Sequence, residues 1–320
     1  MKLLVTGGAG FIGSNFIRHM QIAHPDHTLV NLDFLTYAGN LNNLRDCDTS
    51  HRYTFIHGDI CNSTLVNNVM ERYGIDTVVH FAAESHVDRS IADASVFVKT
   101  NILGTHTLLE AARNHAINRF IHISTDEVYG SLQEGSFRET DILSPSSPYS
   151  SSKAGSDLLA LSYFTTYHLP VIVTRCTNNY GPYQHPEKLI PLFVTNLIDG
   201  KKVPVYGTGK NIRDWIHVND HCRAIDLLLA RGNFGEIYNI GGENEKTNLE
   251  ITENILALLK KDDSLVEYVK DRPGHDFRYS LDCSKIRALG WKPSRSFEEG
   301  LRDTITWYIR NEWWWRPLKK

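Results

Sequence analysis

The chain has 320 residues, of which 41% are hydrophobic and 22% are charged, a composition typical of soluble globular proteins. Its formal net charge of -3 provides no basic field, so nucleic acid is not an expected partner. No apolar run approaches the roughly 20 residues that span a bilayer, so no membrane is expected as a partner. The N-terminus runs straight into a glycine loop and leaves no room for a signal peptide. The five scattered cysteines lack a Cys-x-x-Cys pair and predict free thiols in the cytoplasm.

The first half of the chain alternates short β-branched runs with longer stretches of helical spacing. Strand-like runs lie at 3–6, 29–32, 54–57, 77–81, 120–124 and 171–174, with helical spacing between them at 16–22, 65–73 and 105–115. This alternation predicts βαβ units, which build a parallel sheet with helices on both faces. The strand-like runs are nearly all apolar, as buried parallel strands should be. We therefore predict an α/β fold in which residues 1–175 form a Rossmann-type, doubly wound parallel sheet.

After residue 175 the pattern changes, because prolines and glycines divide the chain into loops and short segments. One strand-like run returns at 237–240, and helical spacing reappears at 249–259 and 301–309. We predict that residues 176–320 mainly form a smaller, less regular substrate domain. Segments between about 203 and 241 are expected to return to the main sheet.

A glycine loop joins the first predicted strand to the first predicted helix. Gly7, Gly10 and Gly13 let the backbone turn tightly and approach a pyrophosphate, which the N-terminal amides of the helix would face. Asp33 ends the second strand, 20 residues after Gly13. A carboxylate there accepts hydrogen bonds from the adenosine ribose and repels a 2′-phosphate, which predicts NAD rather than NADP. Asp59, after the third strand, is predicted to lie at the adenine.

Tyr149 and Lys153 form a Tyr-x-x-x-Lys pair, whose side chains share one face if the segment is helical. A tyrosine with a pKa of about 10 is a poor base at neutral pH. The nearby ammonium and the positive nicotinamide of the cofactor would favour the phenolate, so Tyr149 is the predicted base. Lys153 is also expected to bind the nicotinamide ribose. Thr125 ends an earlier strand, and its hydroxyl can share the proton of a substrate alcohol with Tyr149.

Together, the glycine loop, Thr125 and the Tyr149–Lys153 pair resemble the extended short-chain dehydrogenase/reductase family, which contains sugar-nucleotide epimerases, decarboxylases and dehydratases. The segment 125–130, Thr-Asp-Glu-Val-Tyr-Gly, resembles the signature of the dTDP-glucose 4,6-dehydratases in that family. Two adjacent carboxyl groups suit a dehydration, because removal of the C5 proton needs a base and departure of the C6 hydroxyl needs an acid. The resemblance implies that Asp126 is the acid and Glu127 the base.

The resemblance implies a lyase that dehydrates a nucleoside-diphosphate-glucose, with dTDP-glucose preferred, for deoxysugar biosynthesis. The steps would be oxidation at C4, elimination of water across C5 and C6, and reduction at C6 to a 4-keto-6-deoxy sugar, with NAD regenerated. The alternatives are a UDP-sugar 4,6-dehydratase, a 4-epimerase, a decarboxylase or, from another class, a non-catalytic NAD-binding sensor. The resemblance also implies a homodimer, in which helices near 95–115 and 150–168 pair across a two-fold axis.

The same resemblance implies positions for the other binding residues. Cofactor contacts are expected from Gly7, Gly10, Phe11, Ile12, Gly13, Asp33, Thr36, Asp59, Ile60, Phe81, Ala82, Ala83, Thr100, Tyr149, Lys153 and Asn179. Substrate contacts are expected from Ser85, Thr125, Asn178, Lys188, Leu189, Pro204, Tyr206, Arg213, Asn248, Arg272 and His275. Ser85 would contact the sugar, and the forked guanidinium groups of Arg213 and Arg272 suit a pyrophosphate.

Three further features have less specific patterns. His217 and His221 have the spacing of metal ligands, but the implied reaction needs no metal, so none is predicted. Cys176 is expected to be a packed core thiol rather than a nucleophile. The three consecutive tryptophans at 313–315 favour packing at the end of a C-terminal helix, or a subunit contact, over stacking on a ligand.

Overall fold

The computed structural model describes residues 1–47, 50–271 and 273–319, so the predicted substrate residue Arg272 lies outside the described residues. The strands, in chain order, are β1 (Lys2–Thr6), β2 (Thr28–Asp33), β3 (Tyr53–His57), β4 (Thr77–His80), β5 (Arg119–Thr125), β6 (Val171–Cys176), β7 (Asn178–Tyr180), β8 (Val203–Tyr206), β9 (Ile212–His217), β10 (Ile237–Ile240), β11 (Glu245–Thr247) and β12 (Val266–Val269). Each strand-like run predicted from the sequence is a strand, with boundaries that differ by a residue or two.

The helices, in chain order, are α1 (Phe11–Ala23), α2 (Ser63–Tyr73), α3 (Val87–Ala92), α4 (Ser95–Phe97), α5 (Thr105–Asn114), α6 (Pro148–Tyr167), α7 (Leu189–Ile198), α8 (Val218–Arg231), α9 (Asn248–Leu259), α10 (Ser284–Ala288), α11 (Phe297–Arg310) and α12 (Glu312–Trp315). A π-helical segment, Val98–Gly104, joins α4 to α5. Short 3-10 helices lie at Leu41–Leu44, Asp126–Tyr129, Asp263–Leu265 and Arg316–Leu318. The predicted helical stretches lie within these helices, except that the stretch 105–115 extends one residue beyond α5.

Seven parallel strands form the main sheet in the order β3-β2-β1-β4-β5-β6-β10. The first six follow the order of dinucleotide-binding sheets, in which ligands bind at the carboxyl ends of the strands where the order reverses, here between β1 and β4. The predicted fold class is therefore confirmed.

The main sheet is buried on both faces, which explains its apolar strands. On β1, Leu3 and Val5 belong to a core that also contains residues of α1 and α8. Leu4, between them, belongs to the opposite core with residues of α2, α5 and α6. Successive strand residues point to opposite faces, so a strand between two helical layers is apolar at every position.

The C-terminal part of the chain builds smaller units beside this sheet. From the stretch 203–241, β10 alone extends the main sheet, whereas β8 pairs with β12, and β9 lies between β11 and β7. Gly207 and Gly209, both at positive φ, turn the chain directly after β8. A third core contains side chains from α7, α9 and α11 together with Trp314 and Trp315, as predicted for a packed C-terminal helix end.

All five cysteines are free thiols, as predicted. In the described part of the chain, no helix combines the length and the apolar character that a bilayer span requires.

Candidate active site

A cavity of about 430 Å³ opens at the carboxyl ends of the central strands, and every predicted cofactor residue lines it. The predicted catalytic residues Thr125, Asp126 and Glu127 line the same cavity, as do Ser85, Asn178 and Lys188 from the predicted substrate set. Segments that are far apart in sequence meet here because parallel strands end at one edge of the sheet.

The glycine loop forms the floor of this cavity. Gly7 lies at φ +71°, and a Cβ atom there would lie 2.5 Å from the main-chain nitrogen of Ala82. A Cβ atom on Gly13 would lie 2.4 Å from the Gly7 carbonyl oxygen, so both positions require glycine. Helix α1 follows with Gly10 as its N-cap, without a side-chain cap and without an acidic residue in its first turn. These N-terminal amides are therefore available to the phosphates of a dinucleotide.

Asp33 is held rigidly at the end of β2, beside the glycine loop. Its Oδ2 accepts a hydrogen bond from Ala9 N at 2.8 Å, and its Oδ1 accepts one from Leu35 N at 2.8 Å. Burial raises the pKa of this carboxyl group, while the two backbone hydrogen bonds act in the opposite direction. Each carboxylate oxygen keeps a further lone pair, so the group fits the two hydroxyls of an adenosine ribose.

Asp59 lines the cavity farther along the edge of the sheet and pairs with the Lys99 ammonium at 3.3 Å. Its Oδ1 also accepts a hydrogen bond from Cys61 N at 2.9 Å. Both interactions fix the carboxylate on the wall predicted to receive the adenine.

The start of helix α6 presents Tyr149 and Lys153 to the cavity. Ser147 is the N-cap and forms a capping box with Ser150, so the first helical turn is fixed around Tyr149. Lys153 follows one turn later, and its Nζ donates to the main-chain oxygen of Ile123 at 2.7 Å. Burial lowers the pKa of Lys153 to about 8. The predicted pair is thus helical, buried and on one face.

The protein's own groups do not favour the Tyr149 phenolate. Burial raises the pKa of Tyr149 well above 10, Glu127 and Cys176 raise it further, and a hydrogen bond with Thr125 acts in the opposite direction. The Lys153 ammonium is directed at a main-chain carbonyl. That this ammonium and the positive nicotinamide together favour the phenolate stays a prediction.

Asp126 and Glu127 differ in environment although they are adjacent. Thr125 caps the 3-10 helix that follows β5: its Oγ1 accepts from Glu127 N at 3.3 Å and donates to Asp126 Oδ1 at 3.2 Å. Asp126 is 2% exposed, whereas Glu127 is only partly buried. Burial and then the neighbouring Glu127 raise the pKa of Asp126 well above its usual value. Asp126 is thus poised to hold a proton, as a general acid must.

Several residues that line the cavity were not predicted from the sequence, notably Tyr37, Glu84, His185 and Glu187. Arg89 connects two of them, because its guanidinium lies 3.8 Å from the centre of the Tyr37 ring and donates to Glu187 at 2.9 Å. These contacts join helix α3, which carries Arg89, to two other segments that are remote in sequence. No local sequence pattern predicts these contacts, since Glu187 lies 98 positions from Arg89.

The remaining predicted substrate residues do not line the cavity: Leu189, Pro204, Tyr206, Arg213, Asn248 and His275. Arg213 is buried in β9, where its guanidinium donates to the carbonyls of Ile212 and Asp276 at 2.7 and 2.8 Å. It is still close enough to Asp126 to lower the pKa of that carboxyl group. Tyr206 and His275 form a separate pair with ring centres 6.5 Å apart. Contact of these residues with a substrate stays a prediction.

The histidines and the cysteine that could suggest other chemistry have structural partners. His221 Nδ1 lies 2.9 Å from Asn179 Oδ1, and His217 Nδ1 accepts from Asn219 N at the start of α8. Among the residues that the structure describes, no three His, Cys, Asp or Glu side chains form a group that could hold a metal. Burial and the nearby Asp126 raise the pKa of Cys176 to about 12, which suits a packed thiol.

Comparison with known proteins shows to which family this chain belongs. A family model described as GDP-mannose 4,6 dehydratase matches residues 4–304. A dTDP-glucose 4,6-dehydratase of Streptomyces niveus is 55% identical over 324 residues, which cover 100% of this chain and 96% of that protein. The chain belongs to the dTDP-glucose 4,6-dehydratase family. The predicted family and the predicted enzyme class, a hydro-lyase, are confirmed.

Solved structures agree with this assignment. The dTDP-glucose 4,6-dehydratase DesIV of Streptomyces venezuelae, crystallised with NAD and dTDP bound, matches with a TM-score of 0.97 and 57% identity over 100% of both chains. A Thermus thermophilus UDP-glucose 4-epimerase in complex with NAD matches with a TM-score of 0.90 and 30% identity, covering 97% of this chain and 100% of that one. The fold is shared with epimerases, whereas the higher identity lies with the dehydratases.

Proposed function

We propose that this protein catalyses the NAD-dependent dehydration of dTDP-glucose to the 4-keto-6-deoxy sugar. The observation that carries the proposal is the pair Asp126 and Glu127, which lies in one cavity with Tyr149 and Lys153 but in two different environments. The relatives named as dTDP-glucose 4,6-dehydratases, and the DesIV complex with NAD and dTDP, support the same reaction.

The proposal includes NAD as the resident cofactor. The N-terminal amides of α1 and the glycine loop would hold its diphosphate, and Asp33 would accept hydrogen bonds from its adenosine ribose. When bound there, NAD supplies a hydride acceptor and donor and a positive ring that favours the Tyr149 phenolate. Lys153, with a pKa of about 8, is mostly protonated at neutral pH and is suited to donate to the nicotinamide ribose.

The chain's own residues then move the protons. Tyr149 accepts the proton of the C4 hydroxyl, and Thr125, which hydrogen-bonds with Tyr149, shares it. The ketone formed at C4 acidifies the C5 proton, which Glu127 removes as the base. Asp126, whose pKa is raised by burial and by Glu127, donates its proton to the departing C6 hydroxyl. The rigid Thr125 cap sets the positions of both carboxyl groups.

At the substrate end of the cavity, the proposal assigns Ser85 to the sugar, Asn178 to the diphosphate-sugar and Lys188 to the nucleotide. Lys188 Nζ donates to the Ser85 carbonyl at 3.0 Å, so the two loops that carry them are already joined. The nucleotide is assigned to the part of the chain that follows residue 175. The division into a cofactor-binding unit over 1–175 and a substrate-binding unit over 176–320 belongs to the same proposal.

The proposal also includes a cytoplasmic homodimer. The five free cysteines of each chain are typical of proteins in a reducing compartment. The π-helical segment packs against α6, and both elements expose large apolar side chains, Leu103 and Leu158 among them. Such side chains on adjacent helices are typical of a surface that a second subunit covers.

Incubation with a panel of sugar nucleotides tests the reaction. We expect dTDP-glucose to yield a product lighter by one water, detected by mass spectrometry, with a larger kcat/KM than UDP-glucose or UDP-N-acetylglucosamine. A uridine sugar that is preferred by tenfold or more, about 1.4 kcal/mol of transition-state binding, would refute the thymidine assignment. A product of unchanged mass would indicate a 4-epimerase, and NAD binding without turnover of any sugar would indicate a sensor.

A further inference from the structure

The C-terminal tryptophans are connected to the glycine loop by buried hydrogen bonds that the proposed mechanism does not use. Trp314 is 2% exposed, and its indole Nε1 donates to Asn43 Oδ1 at 2.7 Å. Asn43 Nδ2 donates in turn to the main-chain oxygen of Ala9 at 2.8 Å. Ala9 directly precedes Gly10, the N-cap of α1, so this chain of contacts ends at the turn that is predicted to bind phosphate.

The chemistry of its partners fixes the orientation of the Asn43 side chain. An indole N–H can only donate and a main-chain carbonyl can only accept, so the amide oxygen must face Trp314 and the amide nitrogen must face Ala9. The backbone of Asn43 is held as well: its N–H donates to Asn40 O at 2.9 Å, and its carbonyl accepts from Arg18 Nη2 at 2.8 Å. Asn43 is 1% exposed, so no water replaces a contact that is lost.

Ala9, the residue that precedes Gly10, is thus held by hydrogen bonds at both its main-chain nitrogen and its main-chain oxygen. Ala9 N donates to Asp33 Oδ2 at 2.8 Å, the carboxylate assigned to the adenosine ribose. Ala9 O accepts from Asn43 Nδ2 and also from Asn40 N at 3.0 Å. The first of these partners, Asp33, lies in the proposed cofactor site. The second, Asn43, accepts a hydrogen bond from Trp314 in α12.

We propose that Trp314 is a positioning residue for cofactor binding, which acts through Asn43 to hold the Ala9–Gly10 turn in its diphosphate-binding conformation. The inference rests on the proposed NAD binding. Neither Trp314 nor Asn43 lines the cavity, so an effect of either residue on NAD binding is indirect. If the binding conformation is only partly populated, the apparent affinity falls by the same fraction.

Two tryptophan variants form a matched pair for the test. Trp314→Phe and Trp315→Phe each keep a buried ring and lose one indole N–H. Trp315 Nε1 donates to Tyr308 O at 2.8 Å, a hydrogen bond within the C-terminal region that includes no residue of the glycine loop. A general loss of stability would therefore affect both variants, whereas a loss of loop positioning would affect Trp314→Phe alone.

We expect Trp314→Phe to raise the dissociation constant of NAD about tenfold, measured by calorimetric titration of extensively dialysed protein; this equals about 1.4 kcal/mol. Hydrogen–deuterium exchange of the amides at residues 7–14 should also become faster. Trp315→Phe should leave both quantities within about twofold of wild type, even if its thermal midpoint falls by as much as that of Trp314→Phe.

A third variant tests whether the contacts act in series. Asn43→Leu breaks both links, so adding Trp314→Phe to it should cause no further loss of NAD affinity, whereas independent effects would add. Equal NAD affinity in Trp314→Phe and wild type, or equal losses in the two tryptophan variants, would overturn this inference alone. Wild-type protein that binds NAD but dehydrates no sugar nucleotide would overturn the proposed function alone.

Discussion

Asp126 and Glu127 are adjacent in sequence, but their carboxyl groups lie in different environments. Both follow β5, yet Asp126 is buried with an Oδ2 atom that accepts no hydrogen bond from the described residues, while Glu127 is partly exposed. Burial disfavours the carboxylate form of Asp126, and the charge of Glu127 disfavours it further, so both raise the pKa of Asp126. This difference in environment is the basis on which we propose Asp126 as the acid and Glu127 as the base.

Isotope exchange at C5 separates the two roles. Glu127→Gln should still oxidise C4 but should not exchange the C5 proton with solvent, because the amide cannot act as a base. Asp126→Asn should exchange C5–H for deuterium faster than it loses water, if the elimination is stepwise. Each variant should dehydrate about 100- to 10,000-fold more slowly than wild type. The measurement is incubation of dTDP-glucose in heavy water with each variant, followed by mass spectrometry and NMR at C5.

The opposite pattern would reverse the assignment: full C5 exchange in Glu127→Gln with none in Asp126→Asn makes Asp126 the base. If both rates fall together in Asp126→Asn, the elimination is concerted, and Glu127 alone carries the assignment. Unimpaired dehydration in both variants would remove the pair from the mechanism.

At the scale of the elements, the parts of the site that could be predicted from the sequence are those with local causes. The glycine loop, Asp33 and the Tyr149–Lys153 pair each depend on spacing within one strand, turn or helix, and all lie where they were expected. The contact of Arg89 in α3 with Glu187 joins two segments that meet only in the folded chain, so no local spacing predicts it.

The small sheets were harder to predict for the same reason. Strand β8 lies within the stretch 203–241, from which segments were expected to return to the main sheet. Its partner is β12, more than 50 positions later, and the pairing Val203 with Val266 has no counterpart in local pattern. Short strands are specified by tertiary packing more than by their own sequence.

The capping box of α6 provides a prediction at this scale, because it fixes the turn that carries Tyr149. Ser147→Ala should lower stability by about 1 kcal/mol, as for other N-cap losses, and should also lower kcat/KM at least tenfold by loosening that turn. Ser296→Ala is the matched control, since Ser296 forms a capping box with Glu299 at the start of α11, outside the cavity. Thermal unfolding and steady-state kinetics of both variants test this prediction. Equal losses of kcat/KM in the two variants would contradict a local effect on Tyr149.

At the scale of the whole molecule, the cofactor site depends on both ends of the chain. The first strand leads into the glycine loop, and the last helix reaches back to it through Trp314 and Asn43. The three aromatic side chains Tyr183, Trp307 and Trp314 pack against one another beside this link, with ring centres 4.6 to 5.7 Å apart. The C-terminal helices therefore pack against the segment that contacts the glycine loop.

The proposed homodimer is the last prediction at this scale. Leu103 and Leu158 are 50% and 59% exposed on neighbouring elements, the π-helical segment and α6. Burial of these two side chains against a second copy would stabilise the dimer by about 25 cal/mol for each Å² of apolar surface removed from water. Sedimentation equilibrium should therefore give a mass near twice 36.4 kDa for the wild type.

The double variant Leu103→Glu/Leu158→Glu should sediment as a monomer, because two carboxylates per subunit would lose their hydration at the interface. Ile22→Glu is the control, since Ile22 is 78% exposed on α1, an element that packs on the other face of the main sheet with α8. It introduces the same charge on an exposed helix position and should remain dimeric. A monomeric wild type would refute the homodimer, and dissociation by Ile22→Glu as well would place the interface elsewhere.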